Sequence, residues 1–289
     1  MLQLLDLRHL GRPKVIASYL LEGPEPTLVD CGPSTCVEAL EAGLREHGLA
    51  LEDLRHLLIT HIHLDHAGAA GTLVRRNPAL RVHVSAIGAP HLVDPSRLER
   101  SARRLYGASF DGLWGELAPV PEANVRIVGD NVLGLEAFPT PGHASHHVCY
   151  LDRDGTLYAG DACGVRIAPN PVVLPPTPPP DLDVDAWERT IDEIERRQPQ
   201  RLVLVHFGAF GDVVGHLRVL RTRLLEWRDI VAGGASEDEF ADKVRGAVAA
   251  HADDFGVYER AMPLWQSYAG LKRYVERLTP SPSRATDAA

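Results

Sequence analysis

Apolar residues in this chain occur in short runs that are bounded by Gly, Pro, Asp and Asn. Runs of this length, rich in Val, Ile and Leu, predict buried strands rather than membrane spans. The Asp154-Gly155 pair between two of these runs predicts a hairpin turn. The predicted strands are 15–21, 27–30, 56–60, 81–86, 125–128, 135–139, 148–151, 156–159 and 201–205.

Longer segments with helical spacing of their apolar residues separate and follow these strands. Ser236 and Glu239 form a capping-box pattern at the start of one of them. Strands and helices alternate in two similar halves, which predicts an α/β fold with two sheets between helices. The predicted helices are 35–47, 67–74, 98–106, 183–197, 213–232, 236–251 and 255–278.

Composition is that of an ordinary enzyme: 289 residues, 45% hydrophobic and 24% charged. We expect a catalytic domain at 1–211, a helical extension at 212–278 and a flexible tail at 279–289. The net charge of −9 argues against nucleic acid as a partner. No apolar run is long enough to span a membrane and no signal peptide is recognisable, so we expect a cytoplasmic protein. The four cysteines lack paired spacing, which predicts free thiols.

A dense cluster of metal-ligand side chains follows the strand at 56–60. It contains His61, His63, Asp65 and His66. The chain has 14 histidines, and a lone one would be read as a surface residue, but four liganding side chains in six positions indicate a metal site. Imidazole and carboxylate ligands suit zinc, and also iron, manganese or cobalt. The cluster is predicted to occupy a tight loop between a strand and a helix.

Three later residues complete a recognisable order, namely His143, Asp161 and His206. With the first cluster they give His-x-His-x-Asp-His, then His, Asp and His, and this order resembles the metallo-β-lactamase superfamily over about residues 15–210. The resemblance implies a four-layer αβ/βα sandwich, here with a C-terminal helical extension. It also implies that Asp30, in an early non-liganding motif, steadies the metal loop.

The same resemblance implies a site for two divalent metal ions, with zinc favoured over iron and manganese. His61, His63 and His143 would hold one ion, Asp65, His66 and His206 would hold the other, and Asp161 would bridge them. Such a pair lowers the pKa of a shared water, and the resulting bridging hydroxide is the nucleophile. Asp65 is then also a candidate for catalytic proton transfer.

Details of the motifs indicate which branches of the superfamily the chain resembles most. Asp161, where the first class of zinc β-lactamases has a Cys, is similar to the glyoxalase II branch, as is the helical C-terminal part. Gly208 after His206-Phe207 departs from the tRNA-processing nucleases, and Gly164 departs from many lactonases. A prokaryotic subgroup resembles the chain further in phrases such as Thr140 to His147 and the proline run from Leu174 to Pro180. The predicted reaction is hydrolysis of a small thioester or lactone.

Other functions stay open on the same fold. A persulfide dioxygenase-like oxidoreductase would use one iron, held by His61, His143 and Asp161. Phosphodiesterase or lactamase activity is a further alternative, and a non-catalytic binding protein is a third. Metal count and oxygen consumption separate the dioxygenase from a hydrolase.

Several residues outside the metal motif are candidates for indirect or substrate roles. His146 and His147 could contact substrate or support a ligand, although we favour their being the start of a strand, one facing in and one out. Tyr106 lies in an insertion at 98–106 that is predicted to be a solvated amphipathic helix. The aromatic residues of the C-terminal helices are interpreted as packing or a homodimer interface in preference to a substrate lid.

Overall fold

Two six-stranded sheets form the centre of the protein in a computed structural model that describes residues 2–249, 251 and 254–278. The first sheet has the order β1-β2-β3-β4-β5-β6 and the second has the order β12-β11-β10-β9-β8-β7. The strands are β1 Leu2–Asp6, β2 Ala17–Leu21, β3 Thr27–Val29, β4 His56–Leu58, β5 Arg81–Val84, β6 Val125–Ile127, β7 Asn131–Val132, β8 Leu135–Pro139, β9 Val148–Leu151, β10 Thr156–Tyr158, β11 Arg201–Leu204 and β12 Gly208–Phe210.

Helices cover the outer faces of both sheets and continue past the last strand. The predicted helix 213–232 has the observed bounds of α8, and the helix predicted at 183–197 begins one residue later. The helices are α1 Val37–Glu46, α2 Leu64–Ala67, α3 Ala70–Arg76, α4 Ala89–Val93, α5 Ser96–Tyr106, α6 Phe110–Trp114, α7 Val184–Arg197, α8 Val213–Ala232, α9 Glu237–Ala249, α10 Phe255–Ala261 and α11 Leu264–Leu278. No helix among the described residues combines the length and apolar character that crossing a membrane requires.

The sheets pack face to face, so that the inner faces of both are buried in one core. Polar links cross this core: the Tyr19 hydroxyl donates to the Leu204 carbonyl oxygen at 2.6 Å, and the Tyr150 hydroxyl donates to that of Ile59 at 2.8 Å. A buried tyrosine satisfies its hydroxyl in this way while its ring packs among apolar neighbours. Outside the first sheet, α1 and α3 bury a second core. Outside the second sheet, α7 and α8 bury Trp187 and Leu220. The predicted sandwich of two sheets between helices is confirmed.

Three details of the predicted elements are wrong. Strands β1, β7 and β12 were not expected, because each contributes few consecutive apolar residues; all three are edge strands and need only one partner. The helix predicted at 255–278 is two helices, since Pro263 lacks a backbone N–H and disfavours a helical conformation at Met262, whose ψ is 84°. The loop predicted for the histidine cluster in fact contains the short helix α2, which carries Asp65 and His66.

Hydrogen bonds join the C-terminal helices to the loop that follows β10. The hydroxyl of Tyr258 on α10 accepts a hydrogen bond from the Ile167 backbone N–H and donates to the Val172 carbonyl oxygen, both at 3.1 Å. On α11, the Ser267 carbonyl accepts from the Thr177 hydroxyl at 3.0 Å. These bonds hold α10 and α11 beside the proline run. The division of the chain at 211 stays a prediction, and the predicted tail at 279–289 lies outside the described residues.

Candidate metal centre

The seven predicted ligands come together at one edge of the sandwich, where strands of both sheets end. In the first sheet, β4 leads directly into His61, His63 and α2. In the second sheet, β10 is followed by Asp161 and β11 by His206, and these two strands are parallel. Because parallel strands end on the same side of a sheet, side chains after each strand meet there. His143 reaches the same place from the turn between β8 and β9.

One group of ligands consists of three imidazoles. The Nδ1 atom of His63 lies 3.0 Å from His61 Nε2 and 2.9 Å from His143 Nε2, and the last two atoms are 3.2 Å apart. A tetrahedral ion bound by nitrogens at about 2.1 Å would need them about 3.4 Å apart. The three nitrogens are therefore within a few tenths of an ångström of a zinc-like arrangement.

A second group consists of Asp65, His66 and His206. Oδ2 of Asp65 lies 3.3 Å from Nε2 of His206 and 3.9 Å from Nε2 of His66. Neither Nε2 atom is exposed to solvent, and neither has a hydrogen-bond partner in the described chain. Buried polar atoms in proteins nearly always have a hydrogen-bond partner or a bound ion. The described chain provides none for these two nitrogens, so we expect their partner to be a group that is not part of the chain.

Asp161 lies between the two groups, with one carboxylate oxygen turned to each. Its Oδ2 is 3.4 Å from Nε2 of His143, whereas its Oδ1 is 3.4 Å from Nε2 of His66 and 3.7 Å from Nε2 of His206. Oδ1 is also buried without a hydrogen-bond partner in the described chain. This is the arrangement that a bridging carboxylate needs.

Asp30 fixes the orientation of ligands in the first sheet. Its carboxylate, fully buried, accepts hydrogen bonds from the Thr60 N–H at 2.8 Å and the Thr60 hydroxyl at 2.7 Å, and from Nδ1 of His66 at 2.8 Å. Since the Thr60 hydroxyl donates to Asp30, it accepts from Nδ1 of His61 at 3.1 Å. Both histidines therefore carry their proton on Nδ1 and present the Nε2 lone pair to the centre.

Backbone carbonyl groups orient two more histidines in the same manner. Nδ1 of His143 donates to the Pro176 carbonyl oxygen at 2.8 Å, and Nδ1 of His206 donates to that of Val15 at 2.6 Å. Their Nε2 atoms are thereby left unprotonated and directed inward. A metal ligand with a hydrogen-bonded second nitrogen is held in one tautomer and one ring orientation.

His146 and His147 are both buried, so the prediction that one of them faces outward is wrong. Nδ1 of His147 donates to the Thr140 hydroxyl at 2.7 Å, and its Nε2 accepts from the Asp161 backbone N–H at 3.2 Å. His147 thus positions Asp161. His146 accepts from the Ile62 backbone N–H at 3.4 Å, and its ring stacks at 6.1 Å on that of His61. Strand β9 begins only after them, at Val148.

The electrostatics of the two groups differ. Burial and the adjacent imidazole of His143 lower the pKa of His63 to about 3, and burial lowers the pKa of His61 and of His143 as well. Burial also opposes charge on His66, but Asp161 and Asp65 outweigh it and raise the pKa of that imidazole. The first group is consequently neutral, while in the second the raised pKa of His66 favours an additional proton on Nε2 beside the ionised carboxylates whenever no cation is bound. A cation would take the place of that proton.

A cavity of about 820 Å³ opens from the centre and is lined by Asp65, Asp161 and His206. Its walls include one face of α5, so the prediction that this helix is merely solvated is wrong. The C-terminal region contributes Met262 and Trp265 to the cavity, so the preference for packing over a substrate-facing role is wrong for Trp265. Trp227 and Tyr258 from the same region are packed in the core as predicted.

Sequence reasoning missed His9, which is 4% exposed and lines the cavity. It lies in a turn where Arg8 and Leu10 have positive φ angles of 46° and 52°. No spacing motif links it to the other histidines. The one signal in the sequence is a lone histidine before the first long apolar run.

The four cysteines are free and buried, which agrees with their prediction as small apolar filler. None of them lines the cavity. The Sγ atom of Cys31 lies 3.4 Å from the His66 carbonyl oxygen, which places this thiol beneath α2 rather than in the centre.

Comparison with known proteins identifies relatives across most of the chain. A family model described as the metallo-beta-lactamase superfamily matches residues 11–206. YobT of Bacillus subtilis (strain 168) is 30% identical over 150 residues, which are 51% of this chain and 62% of that protein. The match therefore spans less than two thirds of YobT.

Solved structures give the same result for the fold. ST1585 from Sulfolobus tokodaii, described as an archaeal metallo-beta-lactamase superfamily protein, superposes with a TM-score of 0.68 at 20% identity, covering 94% of this chain and 98% of that one. The metallo-beta-lactamase family protein TTHA1429 from Thermus thermophilus superposes with a TM-score of 0.70 at 21% identity, covering 96% and 93%.

Proposed function

The chain belongs to the metallo-β-lactamase superfamily, and from that premise we propose that it is a hydrolase that uses two divalent metal ions to cleave a small ester-like bond. A thioester or a lactone is the substrate class we favour. The observation that carries the proposal is the pair of ligand groups with the carboxylate of Asp161 between them.

The donor set supports the proposal of two ions rather than one. The first group offers three neutral imidazole nitrogens, and the second offers two imidazoles and the Asp65 carboxylate. Three buried atoms, Nε2 of His66, Nε2 of His206 and Oδ1 of Asp161, have no partner in the described chain. All three belong to the second group or to the bridge, which supports a second ion there. Zinc is the ion we favour, because nitrogen and carboxylate oxygen are its usual non-sulfur ligands.

Two bound ions would supply Lewis acidity and an activated water at neutral pH. The chain's own residues hold the ligands ready for this chemistry. Asp30, Pro176 and Val15 fix the tautomers, and His147 holds the backbone of Asp161. Burial alone would raise the pKa of Asp65, but His66 and His206 hold it well below its usual value. Asp65 is therefore ionised and lines the cavity, where it can accept a proton during the reaction.

The cavity favours a mainly apolar substrate over a polyanion. Its lining includes Leu98, Leu105, Met262 and Leu264, with prolines of the run that precedes α7. The lining carries charges of both signs, with Arg104, Arg260 and Arg273 on one side of the balance and Glu237, Asp238 and Glu259 on the other. A site for a polynucleotide would instead present a continuous basic surface.

The experiment that tests the proposal is metal analysis joined to a hydrolysis panel. We expect about two zinc or manganese ions per chain, and turnover of a thioester or a lactone in preference to a phosphodiester. Chelation should abolish turnover, and added zinc should restore it. His206→Ala should lose about one ion per chain, whereas His91→Ala, outside the centre, should retain both.

A single iron with oxygen consumption and no hydrolysis would instead establish the dioxygenase. His206→Ala then becomes diagnostic, because the dioxygenase ligand set of His61, His143 and Asp161 excludes it. A chain that binds two ions but hydrolyses none of the panel, while binding a ligand, would point to the non-catalytic alternative.

A further inference from the structure

Four aromatic rings from three separate parts of the chain line the same side of the cavity. His9 comes from the turn after β1, Tyr106 ends α5, Trp114 ends α6 and Trp265 lies in the first turn of α11. We call these four side chains the ring wall. Residues this far apart in sequence share no local reason to be aromatic, so the ring wall is a product of the tertiary fold.

The rings form a continuous series with aromatic pair geometry. His9 stacks on Trp114 with ring centroids 5.6 Å apart and planes inclined by 16°. Tyr106 meets Trp114 edge to face at 5.1 Å and 66°, and meets Trp265 at 6.1 Å and 80°. Tyr106, with Gln266 as its polar neighbour, thus joins the insertion to α11. The quadrupoles of these rings are set to accept a further ring in an edge-to-face or offset arrangement.

The ring wall shares its cavity with members of both ligand groups, namely His63 and His143 of the first and Asp65 and His206 of the second. Trp265 lines the cavity and remains 36% exposed. Removing the exposed indole face from water is favourable, and a ligand bound in the cavity would bury that face.

We propose that the ring wall is a substrate subsite that selects molecules carrying an aromatic group beside the bond to be hydrolysed. This inference rests on the proposed hydrolase function, because only a hydrolase would turn the bound molecule over as a substrate. The binding of an aromatic group does not itself require turnover. Trp265 and Tyr106 determine specificity and take no part in the chemistry. An alkyl chain of equal size would fill the same space without the ring interactions.

Equilibrium dialysis with two ketones of equal carbon number tests this inference directly. We would compare 2-acetylnaphthalene with 2-dodecanone, because a ketone imitates the acyl group but cannot be hydrolysed. The wild-type chain should bind the aromatic ketone about tenfold more tightly than the alkyl ketone. Trp265→Leu, which keeps an apolar side chain, should lose most of that preference while its affinity for the alkyl ketone stays nearly constant.

Tyr268→Leu is the matched control. Tyr268 is on the same helix, packs on Phe240 and donates to the Ala235 carbonyl oxygen, away from the cavity. This variant should keep the preference of the wild type. Equal affinity of the wild-type chain for both ketones, or an unchanged preference in Trp265→Leu, would overturn the subsite.

The hydrolysis panel separates this inference from the function on which it rests. Selective binding of the aromatic ketone without turnover of any ester would leave the subsite standing and reject the hydrolase. Turnover of aliphatic and aromatic thioesters at equal kcat/KM, together with equal ketone affinities, would retain the hydrolase and reject the subsite.

Discussion

Asp30 offers the sharpest test of how the centre is organised, because it contacts the ligands without being one. We expect Asp30→Asn to weaken metal binding while leaving every proposed ligand in place. Asn tolerates the positive φ of 52° at this position, so the backbone need not change. The substitution replaces one acceptor oxygen by an NH₂ donor, and all three neighbours that contact the carboxylate are donors.

The magnitude follows from that conflict. A hydrogen bond to a charged acceptor contributes about 1.5–3 kcal/mol, and at least one of the three is lost in Asp30→Asn. Relief of the buried charge offsets part of the loss, so we expect about 2 kcal/mol of destabilisation in the metal-free protein. If the amide turns toward His66, Nδ1 loses its acceptor and the proton can move to Nε2. Loss of such an outer partner typically weakens metal binding about 10- to 100-fold.

Zinc affinity by chelator competition, with urea unfolding of the metal-free protein, provides the assay. Ser18→Ala is the control, because the Ser18 hydroxyl donates to the Asp30 backbone carbonyl oxygen at 2.6 Å and does not touch the carboxylate. It should lose about 1 kcal/mol of stability and keep its zinc affinity. Wild-type zinc affinity in Asp30→Asn would refute the role of the carboxylate in fixing the His66 tautomer.

Three further predictions concern the rest of the molecule. Burial lowers the pKa of His216 to about 4, so the neutral imidazole contributes stability above pH 6.5 that is lost as the pH falls toward 4. Between pH 7 and pH 5, the free energy of unfolding measured in urea should fall by about 2 kcal/mol more in the wild type than in His216→Phe. Gly270→Ala should destabilise the protein by about 1–3 kcal/mol, because the added Cβ would overlap the Thr177 carbonyl oxygen. Gly246→Ala, in open space on α9, should instead stabilise it by about 0.5–1 kcal/mol. Equal melting temperatures for the two variants would contradict the close approach of α11 to Thr177. The four buried thiols should react with a thiol reagent at pH 8 only on unfolding, and rapid labelling of the native protein would show that their burial is wrong.

The sequence predicted the sandwich and the grouping of seven side chains because both depend on local signals. Apolar runs of strand length have few alternative structures when Gly and Pro bound them, and β8 and β9 were predicted with their observed bounds. The cluster from His61 to His66 is dense enough to indicate a site without any tertiary information. The assignment of individual ligands to individual ions stays a prediction, although the distances group the side chains in the same way.

The ring wall could not be predicted, because its members come from separate parts of the chain. His9 meets Trp114 only after α6 has packed against the turn that follows β1, and Trp265 meets Tyr106 only after α11 has packed against α5. The 98–106 segment was likewise assigned to the solvated surface, since four of its nine residues are charged. A cavity wall needs only one face of such a helix, and α5 keeps Ala102 buried while Arg103 remains in solvent.

The orientation of the ligands is divided between side chains and backbone, and this division determines what mutagenesis can detect. Thr60 and Asp30 orient His61 and His66 through side chains, so substitutions there act directly on the tautomers. His143 and His206 are instead oriented by carbonyl oxygens, which no substitution at Pro176 or Val15 removes. A scan of side chains would therefore find sensitive neighbours around the first pair and few around the second. That asymmetry would reflect which partners are replaceable, and would not mean that the second pair is less precisely held.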